Sequence, residues 1–467
     1  MYLTELLDGA ARRWPLKPAL IDGDNTVSYA GLVEEIAGWT SHLQALGVTP
    51  GARVGLCHPN GITYVVLTFA LWRAGAVVVP IPAECAEEEI STIALSMRLE
   101  AMLGQKPRGQ SVALEAGVFL TRLAPALPAD NHGLNIAFIR FTSGTTSARK
   151  GVVLCHETVR DRVLAANKAL RIGPDDIVMW CLPMSHHFLV TIVLYLSAGA
   201  TIVLARHVLP GPFLDAVNRW RGTVLYAAPF HYALLARDTS GAGLSSVRLA
   251  VSTTCGLPQE VAEQFHQRFG LPLAQALGVI ELGLVCANVD DPLARWYSVG
   301  RPLPDFAVNL LKPDRDGCGE IRVAGPGLFD AYAEPWTPRE QLMPDGWFAT
   351  GDIGRMDGEG YLYLVSRKTA VINLAGRKVF PDEIEAVLNR HPAVRESRVY
   401  GAPHPHLGEV IEAEVALRSA VDPGELRDFC RAHVGPDKIP GRIHVVQSVA
   451  RTAVTGKVRR PASLPVP

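Results

Sequence analysis

The sequence lacks the cysteine pattern of a disulfide-stabilised or zinc-binding protein. Its eight cysteines are scattered along 467 residues, and no two of them form a C-x-x-C pair. In a chain of this length, such cysteines are typical of a reducing compartment, where a buried thiol behaves as a small hydrophobic side chain. We therefore expect a cytoplasmic protein without a disulfide framework or a cysteine-ligated metal.

The sequence also lacks an excess of charge of either sign. Its formal net charge is −1, so the chain has no general electrostatic attraction to nucleic acid or anionic lipid. The amino-terminal residues include Glu5 and Asp8 and do not resemble a secretory signal. Phe188–Ala205 is free of charge and long enough to suggest a membrane span, but Ser197–Ala200 divides it. A buried helix, a glycine turn and a buried strand explain it better, so we expect neither a nucleic-acid partner nor a membrane span.

No internal repeat or low-complexity segment is present, and the length exceeds what one hydrophobic core usually holds. Between about residues 50 and 280, apolar runs of strand length alternate with helical patterns. Apolar strands bracketed by helices indicate sheets covered on both faces, and therefore an α/β body. The runs are Arg53–Cys57, Val77–Ile81, Ile177–Leu182, Ile202–Leu204, Val224–Ala228 and Leu249–Ser252.

The pattern changes after about residue 295. Short strands at Val308–Leu311, Glu320–Val323 and Tyr361–Val365, separated by glycine and proline, predict a β-rich subdomain of the large domain. After Arg367 the pattern resets to a hairpin, a helix and further strands, which predicts a small α+β domain of roughly 100 residues. We therefore predict a large domain over residues 1–366 and a small domain over residues 367–467.

A polar, glycine-containing string, Phe141–Gly151, directly follows the apolar run Ile136–Ile139. Glycine lets backbone N–H groups approach an anion, and hydroxyl groups and a lysine add donors for phosphate oxygens. The G-K-[ST] ending of a Walker loop is absent. By themselves these residues favour a phosphate site only modestly over a polar surface loop. The candidate phosphate contacts are Thr142, Ser143, Gly144, Thr145, Thr146 and Lys150.

This string resembles the phosphate-loop signature of the adenylate-forming superfamily, which spans acyl-CoA ligases, peptide-synthetase adenylation domains and luciferases. Further blocks of that family follow in the same order over nearly the whole chain. Because chance agreement of so many ordered blocks is negligible, the chain is identified as a member of the superfamily, in its acyl-CoA ligase branch. The blocks are Leu182–His186, Thr253–Gly256, Gly278–Glu281, Gly346–Asp352, Gly360–Arg367 and Arg451–Lys457.

The resemblance implies a role for each matched residue. Lys457 is then the adenylation lysine, Glu281 holds Mg²⁺, and His186 lies beside the acyl pocket. Asp352 holds both ribose hydroxyls, and Arg367 contacts ribose or phosphate. Further nucleotide or CoA contacts are implied for Thr254, Cys255, Gly256, Leu277, Gly278, Gly376 and Lys378.

Taken singly, these residues have ordinary structural explanations. Glu281 fits an acid at a helix entry, Lys457 a solvated tail charge, and Asp352 after a glycine a turn residue. His186 and His187 suggest a metal pair, but no Cys, Asp or Glu is spaced to complete a site. Only the ordered coincidence of the blocks favours the functional interpretation.

The implied reaction uses ATP, Mg²⁺ and CoA. A carboxylate that attacks the α-phosphate of ATP brings two anions together, so Mg²⁺ on Glu281 and the cation of Lys457 are expected to offset the charge. A thiol then displaces AMP from the mixed anhydride. The resemblance also implies that the small, mobile domain rotates about a hinge near Thr369, presenting Lys457 for the first half-reaction and the loop Asn373–Lys378 for the second.

Several positions depart from the family pattern around the nucleotide. The aromatic residue that stacks on adenine is Leu277 here, and the threonine that donates to phosphate is Ile280. Losing a ring stack costs on the order of 1 kcal/mol and losing a phosphate donor about 1–3 kcal/mol. We therefore hypothesise that adenylation is weakened and that the protein mainly converts a preformed acyl-adenylate to a thioester. Other departures are Ser147, Arg149, Thr369 and Thr253–Gly256.

The substrate is expected to be a carboxylic acid without an α-amino group. Amino-acid-specific relatives place an aspartate near the pocket mouth, whereas the corresponding Ser185–Leu189 contains no acid, and an unpaired ammonium group is costly to bury. The apolar neighbourhood indicates a hydrophobic acid. Free CoA is the favoured thiol, and a carrier protein comes second. A homodimer is one assembly that the sequence leaves open.

Two other classes of function remain open. The first is a non-catalytic acyl or nucleotide sensor, which the altered nucleotide contacts favour. The second is a ligase that passes the acyl group to an amine or an alcohol. A P-loop or dinucleotide enzyme is disfavoured, because neither G-x-x-x-x-G-K-[ST] nor G-x-G-x-x-G follows a strand.

Overall fold

The computed structural model describes residues 2–125, 129–141, 151–205, 209–374, 377–404, 408–435 and 438–450. Two compact units are present. The first comprises Met1–Thr142, Lys150–Ala307 and Ala324–Phe348, and the second includes Val308–Val323 and Ala349–Pro467. The domain boundary predicted between residues 366 and 367 stays a prediction.

The helices, in chain order, are α1 (Thr4–Arg13), α2 (Tyr29–Ala45), α3 (Ile62–Arg73), α4 (Glu87–Ser96), α5 (His156–Leu170), α6 (Met184–His187), α7 (Ile192–Ser197), α8 (Pro210–Trp220), α9 (Pro229–Ala236), α10 (Gln259–Phe269), α11 (Arg339–Leu342), α12 (Pro381–Leu388) and α13 (Pro423–His433). Short 3₁₀ helices occur at Glu115–Gly117, Phe188–Val190 and Lys368–Ala370.

The strands, in chain order, are β1 (Pro18–Asp22), β2 (Asn25–Ser28), β3 (Arg53–Cys57), β4 (Val77–Pro80), β5 (Ala101–Gly104), β6 (Ser111–Ala113), β7 (Phe119–Arg122), β8 (Ile136–Phe141), β9 (Gly151–Cys155), β10 (Ile177–Trp180), β11 (Thr201–Leu204), β12 (Val224–Ala227), β13 (Leu249–Ser252), β14 (Ala274–Val279), β15 (Gly283–Ala287), β16 (Arg301–Pro302), β17 (Ala307–Leu311), β18 (Gly319–Ala324), β19 (Ala331–Ala333), β20 (Trp336–Pro338), β21 (Phe348–Met356), β22 (Leu362–Arg367), β23 (Ile372–Leu374), β24 (Arg377–Val379), β25 (Val394–His404), β26 (Gly408–Leu417) and β27 (Arg442–Val446).

The first unit contains two large mixed sheets. One has the strand order β16-β15-β14-β13-β12-β10-β11-β1-β2, with parallel pairing from β14 through β1. The other has the order β20-β19-β9-β8-β4-β3-β5-β7-β6. The central strands are apolar because helices cover both faces; α3, for example, is apolar around its whole circumference and buried along nearly its whole length. The predicted α/β body is confirmed.

The charge-free segment also folds as predicted. Phe188–Val190 is a 3₁₀ turn, α7 and β11 follow, and Gly199 lies between them with φ of +79°. A Cβ at Gly199 would lie 2.4 Å from a ring carbon of Trp14, so the turn requires glycine. Within the described part of the chain, no helix combines the length and the apolar character that crossing a membrane requires.

The second unit contains two smaller sheets. The order β17-β18-β21-β22 contains the short strands predicted after residue 295, but they belong to the second unit, whereas the sequence analysis assigned them to the large domain. β18 alternates buried and half-buried residues as expected for a strand covered on one face. The other sheet, β24-β23-β26-β25 with β27 beside β26, carries α12 and α13 on a shared apolar core. The predicted hairpin is β23 and β24, and the predicted helix is α12, whose first residue is Pro381.

Candidate active site

Asp352 and Arg367 lie directly opposite each other on the antiparallel strands β21 and β22. The Nε of Arg367 is 2.7 Å from Oδ1 of Asp352. Asp352 is only 8% exposed, and its backbone N–H donates to Oγ1 of Thr350 at 3.0 Å. The structure therefore brings together the two residues that the sequence assigned to the ribose, and it holds the carboxylate with a fixed positive neighbour.

Glu281 occupies the turn between β14 and β15, in the first unit. The hydroxyl of Tyr332 donates to its Oε1 at 3.3 Å. Burial, and then the negative charge of Glu281, raises the pKa of Tyr332, so this hydroxyl keeps its proton at neutral pH. Glu281 thus presents a half-buried carboxylate with one fixed hydrogen-bond donor.

Arg162, on α5, holds the backbone of the Glu281 turn. Its guanidinium donates to the carbonyl oxygens of Ile280 at 2.8 Å, Glu281 at 2.6 Å and Gly327 at 2.5 Å. Arg162 is 2% exposed, and burial lowers its pKa to about 9, so it stays charged at neutral pH. The sequence analysis missed this residue because its three acceptors are far away in the chain.

Two glycines make room for the Arg162 side chain. Gly327 has φ of +71°, and a Cβ there would lie 2.4 Å from Cγ of Arg162. Gly283 has φ of +80°, and a Cβ there would lie 3.0 Å from Cδ of Arg162. Both positions therefore require glycine for backbone conformation and for space.

Arg140 lies on β8, on the same face of its sheet as Tyr332. Arg140 and Tyr332 are each paired with Val152 of β9, one from each side, and directly paired residues project from the same face. Burial lowers the pKa of Arg140 to about 10, partly offset by the negative charge of Glu281. Arg140 is therefore a cation at neutral pH. The sequence analysis missed it, although a charged residue inside the apolar run of β8 is a detectable signal.

His186 belongs to the short helix α6, and its Nδ1 lies 2.9 Å from Oγ of Ser185. Burial, and then the positive charge of Arg140, lowers its pKa to about 4. His186 is consequently a neutral ring at physiological pH. Asn60 fixes the segment before it, because its side chain donates to the Leu182 carbonyl and accepts from the Met184 N–H, each at 2.8 Å. The role of His186 beside an acyl group stays a prediction.

The residues matched to the adenine loop lie after β13 and in β14. Thr254 has φ of +79°, a backbone conformation that is strained for a β-branched residue. Cys255 is exposed and is followed by Gly256. Leu277 is 8% exposed and, with Gly278, belongs to β14. β13 and β14 are parallel neighbours, paired through Ser252 and Gln275, so both segments follow adjacent strands. The roles of these residues toward a nucleotide stay predictions.

Other predicted site residues lie outside the described part of the chain. They are Thr142, Ser143, Gly144, Thr145, Thr146, Lys150, Gly376 and Lys457. The backbone of Lys378 belongs to β24 and that of Thr369 to the 3₁₀ turn Lys368–Ala370. The roles of all these residues stay predictions.

Comparison with known protein families gives two matches. Residues 7–333 match the family described as AMP-binding enzyme, and residues 383–457 match the AMP-binding enzyme C-terminal domain. Together these matches cover most of the chain.

Individual proteins are similar over nearly the full length. The sulfoacetate–CoA ligase of Cupriavidus necator is 30% identical, with 98% of this chain and 96% of the relative covered. The feruloyl-CoA synthase of an Amycolatopsis species is 29% identical, with 96% and 97% covered. The crystal structure of ATP-bound MatB from Rhodopseudomonas palustris superimposes with a TM-score of 0.85 at 24% identity, over 98% of this chain and 97% of that one.

Proposed function

The chain belongs to the AMP-binding enzyme family, whose members include AMP-forming acid–CoA ligases, and from this premise we propose that it joins a non-amino carboxylic acid to CoA through an acyl-AMP intermediate. The observation that carries the proposal is the pair of Asp352 and Arg367. A nearly buried carboxylate held 2.7 Å from a guanidinium suits two ribose hydroxyls, because an ionised carboxylate accepts from two donors at once.

The reaction has two half-reactions. A carboxylate oxygen of the acid attacks the α-phosphorus of ATP, and pyrophosphate leaves. The sulfur of CoA then attacks the acyl carbon, the bond from that carbon to the phosphate oxygen breaks, and AMP leaves. We assign Lys457 to the first half-reaction because it lies in the matched block Arg451–Lys457. In that half-reaction its cation offsets the charge that develops on the phosphate.

Glu281 suits the proposed role of magnesium ligand. Mg²⁺ takes oxygen donors and is commonly held by one or two protein carboxylates, with water and substrate phosphates completing its shell. Among the described residues, no group of three or more His, Cys, Asp or Glu side chains forms a self-contained metal cage, which fits a metal held largely by substrate. When bound, Mg²⁺ would neutralise charge on the phosphates. Arg162 fixes the Glu281 turn through two carbonyls, so the carboxylate is held in place.

The acid is proposed to lack an α-ammonium group. The segment at α6 carries no acid, and burial, followed by the positive charge of Arg140, lowers the pKa of His186. A second cation there would meet repulsion as well as desolvation. The names of two relatives give acids of two kinds. Sulfoacetate has a second anionic group, and ferulate is aromatic.

A narrower form of the proposal is that adenylation is weakened. Leu277 and Ile280 stand where the family carries an aromatic residue and a threonine, and neither offers a ring or a hydroxyl to the nucleotide. Together the two losses would slow ATP use by roughly tenfold to several hundredfold. The protein would then act mainly on a supplied acyl-adenylate.

One experiment tests both forms. The purified chain is incubated with a library of carboxylic acids, Mg-ATP and CoA, and in parallel with synthetic acyl-adenylates and CoA. Further reactions replace CoA by amine and alcohol acceptors. Acyl-AMP, acyl-CoA and the amide or ester products are measured by mass spectrometry. Thioester from the adenylates and slower thioester from the acids is expected. Equal rates from both would remove the weakened-adenylation form. No thioester from either would favour a non-catalytic sensor, and product only with an amine or alcohol acceptor would favour the alternative ligase.

A further inference from the structure

Arg140 lies in a group of four side chains in the first unit, which we term the Arg140 cluster: Arg140, Tyr64, His186 and Glu281. The negative charge of Glu281 acts on Arg140, and the positive charge of Arg140 acts on His186. Tyr64, an uncharged phenol, is close enough to Arg140 for the two to interact electrostatically. Tyr64 belongs to α3, and its ring lies 5.7 Å from that of Phe188, just after α6. The cluster thus joins the strand before the predicted phosphate loop to the segment assigned to the acyl pocket.

Two donors in this cluster lack acceptors within the described part of the chain. The Nε of Arg140 is shielded from solvent and has no hydrogen-bond partner among the described residues. The hydroxyl of Tyr64, a fully buried residue, has none there either. Buried polar groups are normally hydrogen-bonded, and an unpaired buried charge is costly. Two such donors within one electrostatically coupled cluster are expected to receive a ligand that brings acceptor oxygens and negative charge.

Glu281 does not remove this need. Its carboxylate already accepts from Tyr332 at 3.3 Å and is proposed to bind Mg²⁺. A carboxylate committed to a divalent cation offers less compensation to a neighbouring guanidinium. Arg140 therefore needs a second source of negative charge when the enzyme is at work.

We propose that Arg140 and Tyr64 form a subsite for a second anionic group, a carboxylate or a sulfonate, on the acid substrate. The preferred substrate class is therefore a dicarboxylic or sulfocarboxylic acid, and not the hydrophobic acid that the apolar neighbourhood suggested. This proposal rests on the proposed ligase function. The carboxylate that becomes activated stays free, while the second group accepts from the guanidinium and the phenol.

A phosphate group of ATP could also supply acceptor oxygens and negative charge to Arg140 and Tyr64. The position of the cluster favours the acid. The Tyr64 ring packs against Phe188, and the charge of Arg140 acts on His186. Phe188 and His186 both lie at the segment that the resemblance assigned to the acyl group. An apolar side group placed there would leave the Arg140 charge unpaired.

The test uses pairs of acids that differ only in one charge: succinate with succinamate, malonate with malonamate, and sulfoacetate with (methylsulfonyl)acetate. For the wild-type chain, kcat/KM for thioester formation is expected to be about 10- to 100-fold higher for the charged member of at least one pair, because a hydrogen bond to a charged group is the stronger. Arg140→Met should remove this preference, mainly by raising KM for the charged acid. Arg219→Met, an exposed arginine paired with Asp24, is the matched control.

Several results would overturn the proposal. They are equal use of charged and neutral members by the wild-type chain, an equal loss for both members in Arg140→Met, or a rise in KM for ATP with every acid. The comparison of charged and neutral acids with the wild-type chain tests the proposal even if Arg140→Met does not fold. If no acid or adenylate yields thioester, the proposed ligase function is wrong, but the anionic subsite is still tested. Calorimetry then compares the binding of succinate with that of succinamate. Preferential binding of succinate that depends on Arg140 supports the subsite, and equal binding contradicts it.

Discussion

Asp352 and Arg367 face each other across one antiparallel strand pair, with Arg367 Nε 2.7 Å from Asp352 Oδ1. They belong to two different sequence blocks and lie 15 residues apart in the chain. The register of β21 and β22 therefore sets the distance between them, and the position of the carboxylate is fixed before any nucleotide arrives. Such preorganisation lowers the cost of ordering the side chain on binding.

Replacing Asp352 by Asn should raise KM for ATP by about 10- to 100-fold, since the amide keeps the shape but loses the charge that strengthens hydrogen bonds to the ribose. Initial rates at varied ATP measure this. Glu320→Gln is a matched control, because Glu320 is as buried as Asp352 and pairs with Lys368 at 2.8 Å in the same sheet. An equal rise in KM for ATP in both variants would contradict the assignment.

Arg162→Met should lower the free energy of unfolding by about 3 kcal/mol, because three carbonyl oxygens lose a charged donor inside the protein. It should also raise the Mg²⁺ concentration needed for half-maximal activity, since the Glu281 turn loses its support. Urea unfolding and Mg²⁺ titrations measure these effects. Arg162→Lys should show a smaller change in both, and unaltered Mg²⁺ dependence in Arg162→Met would argue that Arg162 only stabilises the fold.

Lys457→Ala should reduce acyl-AMP formation from acid and ATP by about a hundredfold or more, because one cation that stabilises the developing phosphate charge is lost. Thioester formation from supplied acyl-AMP should be spared. The two half-reactions are followed separately by mass spectrometry, with Lys438→Ala as control, since Lys438 pairs with Glu383 at 2.8 Å. A similar loss in both half-reactions would refute the assigned role.

His156 should make the protein less stable in acid. It is 2% exposed, accepts from the Leu3 N–H through Nδ1, and burial lowers its pKa to about 4. Between pH 6.5 and 4 the unfolded chain binds more protons at this residue than the folded chain, so stability falls as the pH falls. From pH 7 to pH 5 the loss should be about 2 kcal/mol.

Urea unfolding of His156→Gln at pH 7 and pH 5 tests this contribution. The variant should lose about 2 kcal/mol less stability than the wild type between the two pH values. Parallel behaviour of the wild type and His156→Gln would refute the prediction. His186, whose pKa is also lowered to about 4, should add to the total loss in both proteins.

Much of the fold was predictable because the signals are local. Strands such as Val224–Ala227 are apolar over their whole length, and Gly270 ends α10 with φ of +67° just where the amphipathic pattern stops. The hairpin of β23 and β24 and the start of α12 at Pro381 follow from proline and turn residues. Such features depend on neighbours in the sequence and need no knowledge of tertiary contacts.

The candidate site was predictable only where sequence blocks could be matched. Asp352, Arg367 and Glu281 were found in this way, and the structure places Asp352 and Arg367 in contact. Arg162 was missed because its partners, Ile280, Glu281 and Gly327, lie more than a hundred residues away in the chain. No spacing rule connects such positions.

The sequence by itself determined the family, the α/β body and the residues matched to nucleotide binding, because periodicity and ordered blocks are properties of the chain as written. Only the tertiary structure decided what surrounds those residues. The pairing of β8, β9 and β19 puts Arg140 and Tyr332 on one face. The packing of α3 buries the Tyr64 hydroxyl without a hydrogen-bond partner among the residues that the structure describes. The physical reason is that burial and uncompensated charge depend on which distant segments meet, and strand register and helix packing together determine which segments do.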